Sequence, residues 1–188
     1  GITTVLAQAV PASGKMLIAT RDLNDPNFSE TVILLVDHDE DGSMGIVINR
    51  PTTVAANTAL PQIEDLEAYA GRLFFGGPVE IESLVVLFRA EETPQGARRV
   101  LEDIHVSQDG DLLADLARKG LGDSELRLYA GYAGWFPGQL DMEIERGGWH
   151  VLPGRAALVF DDEPGDVWKK TVPPPEPIMT MLLDGRTE

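Results

Sequence analysis

Two short runs of apolar, largely β-branched residues give the clearest structural signal along the chain. Residues 31–36 (TVILLV) and 44–48 (MGIVI) each have the length and composition of a buried strand. Asp41 and Gly42 between them form a pair favoured in hairpin turns. The pattern therefore predicts a buried β-hairpin over these residues.

The remaining hydrophobic pattern predicts more strands than helices. Residues 109–119 predict a helix, because acidic side chains begin it, basic side chains and a glycine end it, and leucines form one stripe. Shorter helices are predicted over residues 52–60, 61–70, 139–145 and 166–170. Further strands are predicted over residues 73–75, 84–88, 98–106, 126–129, 149–152 and 157–160. Strands and helices do not alternate regularly, so we predict an α+β domain whose sheet folds into a partial barrel.

The length of the chain suits one domain with short terminal extensions. It has 188 residues and a mass of 20.4 kDa. We expect an uncharged lead-in over residues 1–13, one domain over 14–172, and a Pro-rich linker with a short tail over 173–188. The lead-in is too short to cross a bilayer and lacks a basic start, although its alanines also suit a signal-peptide remnant.

Charge and cysteine content narrow the possible functions. The chain has 15 Lys and Arg against 31 Asp and Glu, a formal charge of −16 that is spread along the sequence. This balance argues against direct nucleic-acid binding and against adhesion to anionic membranes. The absence of cysteine excludes disulfides and cysteine nucleophiles, and it is compatible with a reducing compartment.

The motifs associated with metals and catalysis are incomplete in this sequence. Residues 37–42 (DHDEDG) match the first half of a calcium loop, but Ile48 stands where the bidentate glutamate is required. The three histidines show no zinc spacing, and no nucleophile elbow or phosphate loop is present. We therefore predict no catalytic residues, no metal and no cofactor.

Three glycine- or polar-rich segments are the best candidates for a binding site. They are INRP at residues 48–51, GGPV at 76–79 and GYAGWFPGQL at 131–140. We predict that these segments lie together and form a cleft, with aromatic walls and a polar pair one helical turn apart on the helix that follows. The candidate ligand-binding residues are Asn49, Arg50, Gly76, Gly77, Pro78, Tyr132, Trp135, Gln139 and Glu143. The alternative is structural: the glycines permit close packing, and Glu143 hydrogen-bonds a buried turn.

The same segments, in this order, resemble the YqgE/AlgH family of bacterial proteins. The resemblance covers roughly residues 14–170 and is carried most specifically by GIVINRP, GGPV and GYAGWFPGQL. Additional matching features are Leu17-Ile18-Ala19, Asp25 with Phe28, Thr31-Val32, His38, Glu143, Trp149, Phe160 and Trp168. Two features depart from the family pattern: Phe88 stands where a histidine is typical, and the Pro-rich tail begins at Pro173.

The resemblance implies a cytoplasmic bacterial protein with a curved, split, mostly antiparallel sheet that forms a pseudo-barrel flanked by a few short helices. It brings no established activity, although some members are labelled transcriptional regulators. Three hypotheses follow: a non-enzymatic module that binds a small molecule or a protein and acts indirectly in regulation, a regulator that acts directly on DNA, and an enzyme that uses Glu143. The acidic charge opposes the second, and a single carboxylate is weak support for the third.

Overall fold

The computed structural model describes residues 10–175, which are built around one ten-stranded sheet. Its strands are β1 (Lys15–Ala19), β2 (Val32–Asp39), β3 (Gly42–Val47), β4 (Pro51–Ala55), β5 (Arg72–Phe75), β6 (Val79–Arg89), β7 (Arg98–Leu101), β8 (Ile104–Ser107), β9 (Leu126–Trp135) and β10 (Trp149–Pro153). The α-helices of these residues are α1 (Ala56–Ala59), α2 (Gly110–Arg118), α3 (Gln139–Glu145), α4 (Ala156–Val159) and α5 (Val167–Thr171). The predicted α+β fold with a curved, mostly antiparallel sheet is confirmed.

Strand β9 joins the two halves of the sheet. The strand order is β10-β1-β2-β3-β9-β6-β8-β7, with β5 pairing β9 in parallel and β4 pairing β5. The last residues of β9 pair with β3, with Ser43 opposite Trp135, whereas its earlier residues pair with β5 and β6. The end of β9 therefore brings the beginning of α3 to the β3 side of the sheet.

A β-bulge in β2 helps the sheet to curl into a half-barrel. The pairing of β2 with β3 shifts between Leu35 and Asp37, which takes Val36 out of the regular ladder. The carbonyl of Val36 instead accepts hydrogen bonds from Ser13 Oγ at 2.9 Å and from Arg98 Nη1 at 2.7 Å. Because Arg98 lies on β7 at the far edge, these bonds hold that edge against β2.

The buried hairpin and the long helix are found where the sequence predicts them. Strands β2 and β3 flank the turn at residues 40–41, and the apolar part of each is buried. The side chain of Asp109 caps α2 by accepting from the backbone N–H groups of Asp111 and Leu112. Both elements are specified by residues that are close in sequence.

The predicted helices over residues 52–60 and 61–70 are wrong. Residues 51–55 form β4, only one helical turn follows, and the second segment contains a single 3₁₀ turn at Leu66–Ala68. The hydroxyl of Thr52 donates to the carbonyl of Leu73 on the paired strand at 2.6 Å and accepts the N–H of Val54 at 3.2 Å, so both bonds lie within the strand region and not at a helix start. Asp65 has a left-handed backbone, with φ at 61°, which interrupts helical geometry before the 3₁₀ turn.

Two further strand predictions need correction. Residues 156–159 form α4, whose last carbonyl accepts from the buried side chain of Arg127 at 3.0 Å. Residues 98–106 form the two strands β7 and β8, with Glu102 at φ 50° in the turn between them. Residues 1–9 of the predicted lead-in (1–13) and residues 176–188 of the predicted linker and tail (173–188) lie outside the described residues. Among residues 10–175 no helix is long and apolar enough to cross a bilayer.

His105 on β8 predicts a loss of stability in mild acid. Its side chain is buried, stacks on Phe88 with ring centroids 5.4 Å apart, and lies 2.9 Å from Thr93 Oγ1 through Nε2. Burial lowers the pKa of His105 below 6.5, opposed by the backbone hydrogen bond to Asp103. The neutral ring is therefore favoured by folding, and its contribution is complete above the unfolded pKa and falls as the pH drops through 6.5 towards the folded value.

We expect the free energy of unfolding to be smaller at about pH 5.5 than at about pH 8, and expect His105→Gln to reduce this difference. Urea unfolding of the wild type and of His105→Gln at the two pH values measures this difference in the free energy of unfolding. An identical pH difference in the wild type and the variant would exclude His105 as the source.

Candidate functional site

The GGPV turn and the GYAGWFPGQL segment lie side by side, as the sequence predicts. The backbone N–H of Gly76 donates to the carbonyl of Ala130 at 2.8 Å, and Val79 lies opposite Tyr132 in the sheet. Gly77 has a φ of 150°, and a Cβ atom there would overlap the carbonyl carbon of Tyr132. The glycine is therefore required because two backbones meet without space for a side chain.

Asn49 and Arg50 hold the β1–β2 connection in place. Asn49 Oδ1 accepts from the N–H of Val32 at 2.9 Å, and its Nδ2 donates to the carbonyl of Glu30 at 2.9 Å. Arg50 donates to the carbonyls of residues 26, 27 and 29. Burial lowers the pKa of Arg50, against the opposing influence of Asp25. These contacts direct both side chains to the backbone of residues 26–32.

Glu143 on α3 links two buried indoles. Its Oε1 accepts from the Nε1–H groups of Trp135 and Trp149, both at 3.3 Å. The two indoles meet edge to face with centroids 6.3 Å apart, and Phe28 stacks on Trp135 at 6.3 Å and meets Trp149 edge-on at 5.8 Å. No hydrogen bond or ion pair within residues 10–175 involves Oε2 of Glu143. One oxygen of the carboxylate therefore holds the aromatic cluster, and the other has no partner among residues 10–175.

The beginning of α3 explains the position of Glu143. Gly138 precedes the helix in a left-handed conformation, with φ at 76°, and Gln139 Oε1 accepts the backbone N–H of Phe136 at 2.9 Å. Leu140 is buried and Ile144 is half-buried, so the face that they share with Glu143 points towards the core. The amide of Gln139 thus shapes the turn before α3 instead of joining Glu143.

Glu143 lines a cleft of about 260 Å³. The cleft lies between the β1–β2 connection, the C-terminal end of α3 and the start of β10. Its lining residues are Thr20, Asp22, Leu23, Glu143, Arg146, Gly147, Gly148 and Trp149. The charged side chains are two carboxylates and one guanidinium, and Arg146 makes no ion pair within the described part of the chain.

The cleft includes only one of the residues that the sequence predicted for the site. Trp135 donates to Glu143 but does not itself line the cleft. The lining also does not include the other seven candidates: Asn49, Arg50, Gly76, Gly77, Pro78, Tyr132 and Gln139. Burial raises the pKa of Tyr132, and the carboxylate of Glu80 on β6 raises it further. As ligand-binding residues, all nine remain a prediction.

The sequence did not predict that Gly147 and Gly148 line the cleft. The N–H of Gly148 donates to the carbonyl of Glu143 at 2.9 Å, and the N–H of Thr20 donates to the carbonyl of Gly148 at 3.0 Å. The hydroxyl of Thr20 donates to the carbonyl of Gly147 at 2.8 Å. The available signal was the Arg-Gly-Gly-Trp run directly after α3, which combines a cation, a turn and an aromatic ring.

Two larger clefts have cations that are already paired. One of about 340 Å³ lies beside Arg98, which forms an ion pair with Asp37 at 2.8 Å. Another, of about 610 Å³, contains Arg89 and Lys170, which pair with Asp103 at 2.8 Å and Asp161 at 3.1 Å. Among the described residues, the cleft at Glu143 thus offers a ligand more unpaired charge than either of these two clefts.

The histidines and the acidic hairpin do not assemble a metal site. Within residues 10–175, no three His, Asp or Glu side chains are placed to hold a metal ion. Residues 37–42 form the β2–β3 hairpin, in which Asp39 Oδ1 accepts the N–H of Asp41 at 2.8 Å. His38 Nδ1 lies 2.6 Å from Ser43 Oγ. Weak or absent calcium binding by this loop remains a prediction.

The region that matches a known protein family includes both the sheet and the residues that line the Glu143 cleft. The model of the AlgH-like family (DUF179) matches residues 16–173. The chain belongs to the AlgH-like family. The resemblance identified from the GIVINRP, GGPV and GYAGWFPGQL segments is therefore confirmed.

Individual relatives support the same assignment. A UPF0301 protein of Streptomyces avermitilis is 40% identical over 166 residues, covering 85% of this chain and 84% of the relative. A UPF0301 protein of Paracoccus denitrificans is 40% identical over 169 residues, covering 86% and 88%. Their names give a family and no activity.

Two solved structures share the fold. Protein DIP2367 from Corynebacterium diphtheriae has a TM-score of 0.74 at 27% identity, covering 92% of each chain. The AlgH protein from Pseudomonas aeruginosa, solved in solution, has a TM-score of 0.70 at 30% identity, covering 97% of this chain and all of the other. The curved sheet is thus common to these proteins.

Proposed function

We propose that this AlgH-like protein is a non-enzymatic binding module whose ligand occupies the Glu143 cleft. The observation that carries the proposal is the Glu143 carboxylate: two indoles fix one oxygen, and the second has no partner within the described residues. A half-buried carboxylate without a cation favours binding one from solution.

The three charges of the lining define the ligand class. Asp22 and Glu143 suit two cationic groups, and Arg146 suits one anionic group. A small amino acid with a basic side chain carries this combination. The cleft of about 260 Å³ also suits a small ligand, because it lies below the usual range of about 300–1,000 Å³ for drug-sized molecules.

The other two hypotheses receive less support. One oxygen of Glu143 accepts from two indoles, which suits a positioning role more than proton transfer. The charge of −16 opposes contact with DNA phosphates. A regulatory role would therefore act through the ligand or a protein partner, in the cytoplasm as the sequence resemblance implies.

We expect lysine, arginine or ornithine to bind the wild-type protein, and expect Glu143→Gln to weaken that binding by about 10-fold or more. The variant removes the charge and retains an amide oxygen for the indoles, and a hydrogen bond to a charged group contributes about 1.5–3 kcal/mol. Arg146→Gln should weaken binding through the ligand carboxylate. Isothermal titration calorimetry measures both effects.

Two controls make this experiment specific to the cleft. Glutamate has the opposite charge arrangement and should not bind. Lys119→Gln changes an exposed cation outside the cleft lining and should keep the wild-type affinity. Absence of binding by all three basic amino acids, or equal affinity in the Glu143→Gln and Lys119→Gln variants, would overturn the proposal.

A further inference from the structure

An aromatic side chain projects into solvent directly after β9. Phe136 is 81% exposed, although its backbone is held on both sides: its N–H donates to Gln139 Oε1 at 2.9 Å and its carbonyl accepts from the N–H of Gln139 at 3.0 Å. Pro137 follows and is exposed too. The ring is therefore presented by an ordered turn, which reduces the entropy lost when a partner binds.

A second exposed apolar side chain lies on the adjoining helix. Met142 is 50% exposed and occupies the fourth position of α3, with its N–H donating to the carbonyl of Gly138 at 3.2 Å. A residue at the fourth helical position often packs against the residue before the N-cap, which is Pro137 here. We call Phe136, Pro137 and Met142 the Phe136 surface.

Acidic side chains flank the Phe136 surface on both sides. Pairing of β3 with the end of β9 brings the hairpin next to it: a Cβ atom on Gly42 would lie 2.5 Å from the carbonyl oxygen of Trp135. The exposed acidic residues of the hairpin are Asp39, Glu40 and Asp41, and those of α3 are Asp141 and Glu145. None of these five forms an ion pair within residues 10–175.

Charge decides which occupant this surface suits. A second copy of the chain also carries −16, so two such surfaces repel each other, and an anionic membrane is repelled for the same reason. We propose that the Phe136 surface docks a basic, amphipathic segment of a partner protein. Its apolar side chains would cover Phe136 and Met142, and its lysines or arginines would face the hairpin and α3.

A labelled peptide of lysine and leucine at helical spacing tests this proposal by fluorescence anisotropy. We expect the wild type to bind it and Phe136→Ser to weaken binding by about 10-fold or more, because exposed aromatic anchors dominate such contacts. The matched control is Ile81→Ser, since Ile81 is 56% exposed and lies between Glu80 and Glu82 on β6. Ile81→Ser should leave the affinity unchanged.

Removing the negative charges of the β2–β3 hairpin tests whether electrostatic attraction contributes to docking of the peptide. Replacing Asp39, Glu40 and Asp41 with Asn, Gln and Asn keeps an oxygen for the Asp41 N–H and should flatten the loss of affinity between about 50 and about 300 mM salt. No peptide binding, or equal affinity in Phe136→Ser and Ile81→Ser, would overturn the proposal. A dimer in analytical ultracentrifugation that Phe136→Ser dissolves would assign the surface to self-association and overturn it too.

Discussion

Gly77→Ala is expected to destabilise the protein by about 3–5 kcal/mol, enough to unfold many domains of this size. Two costs combine at this position. The φ of 150° is a conformation that L-residues rarely adopt, and the new Cβ would overlap the backbone of Tyr132 and Ala133. Neither strand can move away easily, because Gly76 is bonded on one side to Ala130 and on the other to Val47.

Gly120→Ala is the matched control for this substitution. Gly120 follows α2 with φ at 77°, and no atom lies within 4 Å of a Cβ placed there. Alanine at this position has the free-energy cost of a positive φ but does not overlap another atom. We therefore expect a loss of stability of only about 1 kcal/mol. Chemical denaturation of the wild type, Gly77→Ala and Gly120→Ala measures both losses of stability. Similar losses for the two variants would show that close contact between the GGPV turn and β9 contributes little.

Glu143→Ala is expected to cost about 2–3 kcal/mol of stability. The substitution removes the acceptor shared by Trp135 and Trp149, whose indoles are 6% and 1% exposed. Hydrogen bonds to a charged group contribute about 1.5–3 kcal/mol each, and lengths of 3.3 Å place these near the lower limit. The shift in midpoint of urea unfolding reports the loss.

Glu143→Gln separates the structural role of this residue from its charge. Glutamine retains an oxygen for both indoles, so we expect it to remain within about 1 kcal/mol of the wild type. If Gln destabilises the protein as much as Ala does, the negative charge is itself required for folding. The binding loss expected for Glu143→Gln would then have a structural origin.

Local signals predicted the parts of the fold that neighbouring residues specify. The hairpin of β2 and β3 and the capped helix α2 follow from apolar runs, a turn pair and Asp109. The predicted helix at residues 52–60 failed because the hydroxyl of Thr52 has its partner 21 residues away, on β5. The strand predicted at 157–160 is instead a helical turn whose carbonyl is bound by Arg127, 32 residues distant.

The candidate site shows the same division between local and distant effects. Spacing after the GYAGWFPGQL segment identified Glu143, since α3 is a local element. The pairing of β10 with β1 supplies the rest of the cleft, because Trp149 lies opposite Ala19 and thus next to Thr20 and Asp22. That pairing joins residues about 130 positions apart, which periodicity alone does not reveal.

Titration of ¹⁵N-labelled protein with lysine, arginine and ornithine, followed at the three tryptophan indoles, tests the central claim most directly. Trp135 and Trp149 donate to the same Glu143 oxygen, whereas the indole of Trp168 donates to the carbonyl of Ala19 at 2.8 Å and serves as a reference. We expect at least one ligand to shift the Trp135 and Trp149 resonances together and saturably, and expect Glu143→Gln to raise the ligand concentration at half-saturation by about 10-fold or more. Indole resonances that stay unmoved by all three ligands, or a shift confined to Trp168, would contradict it.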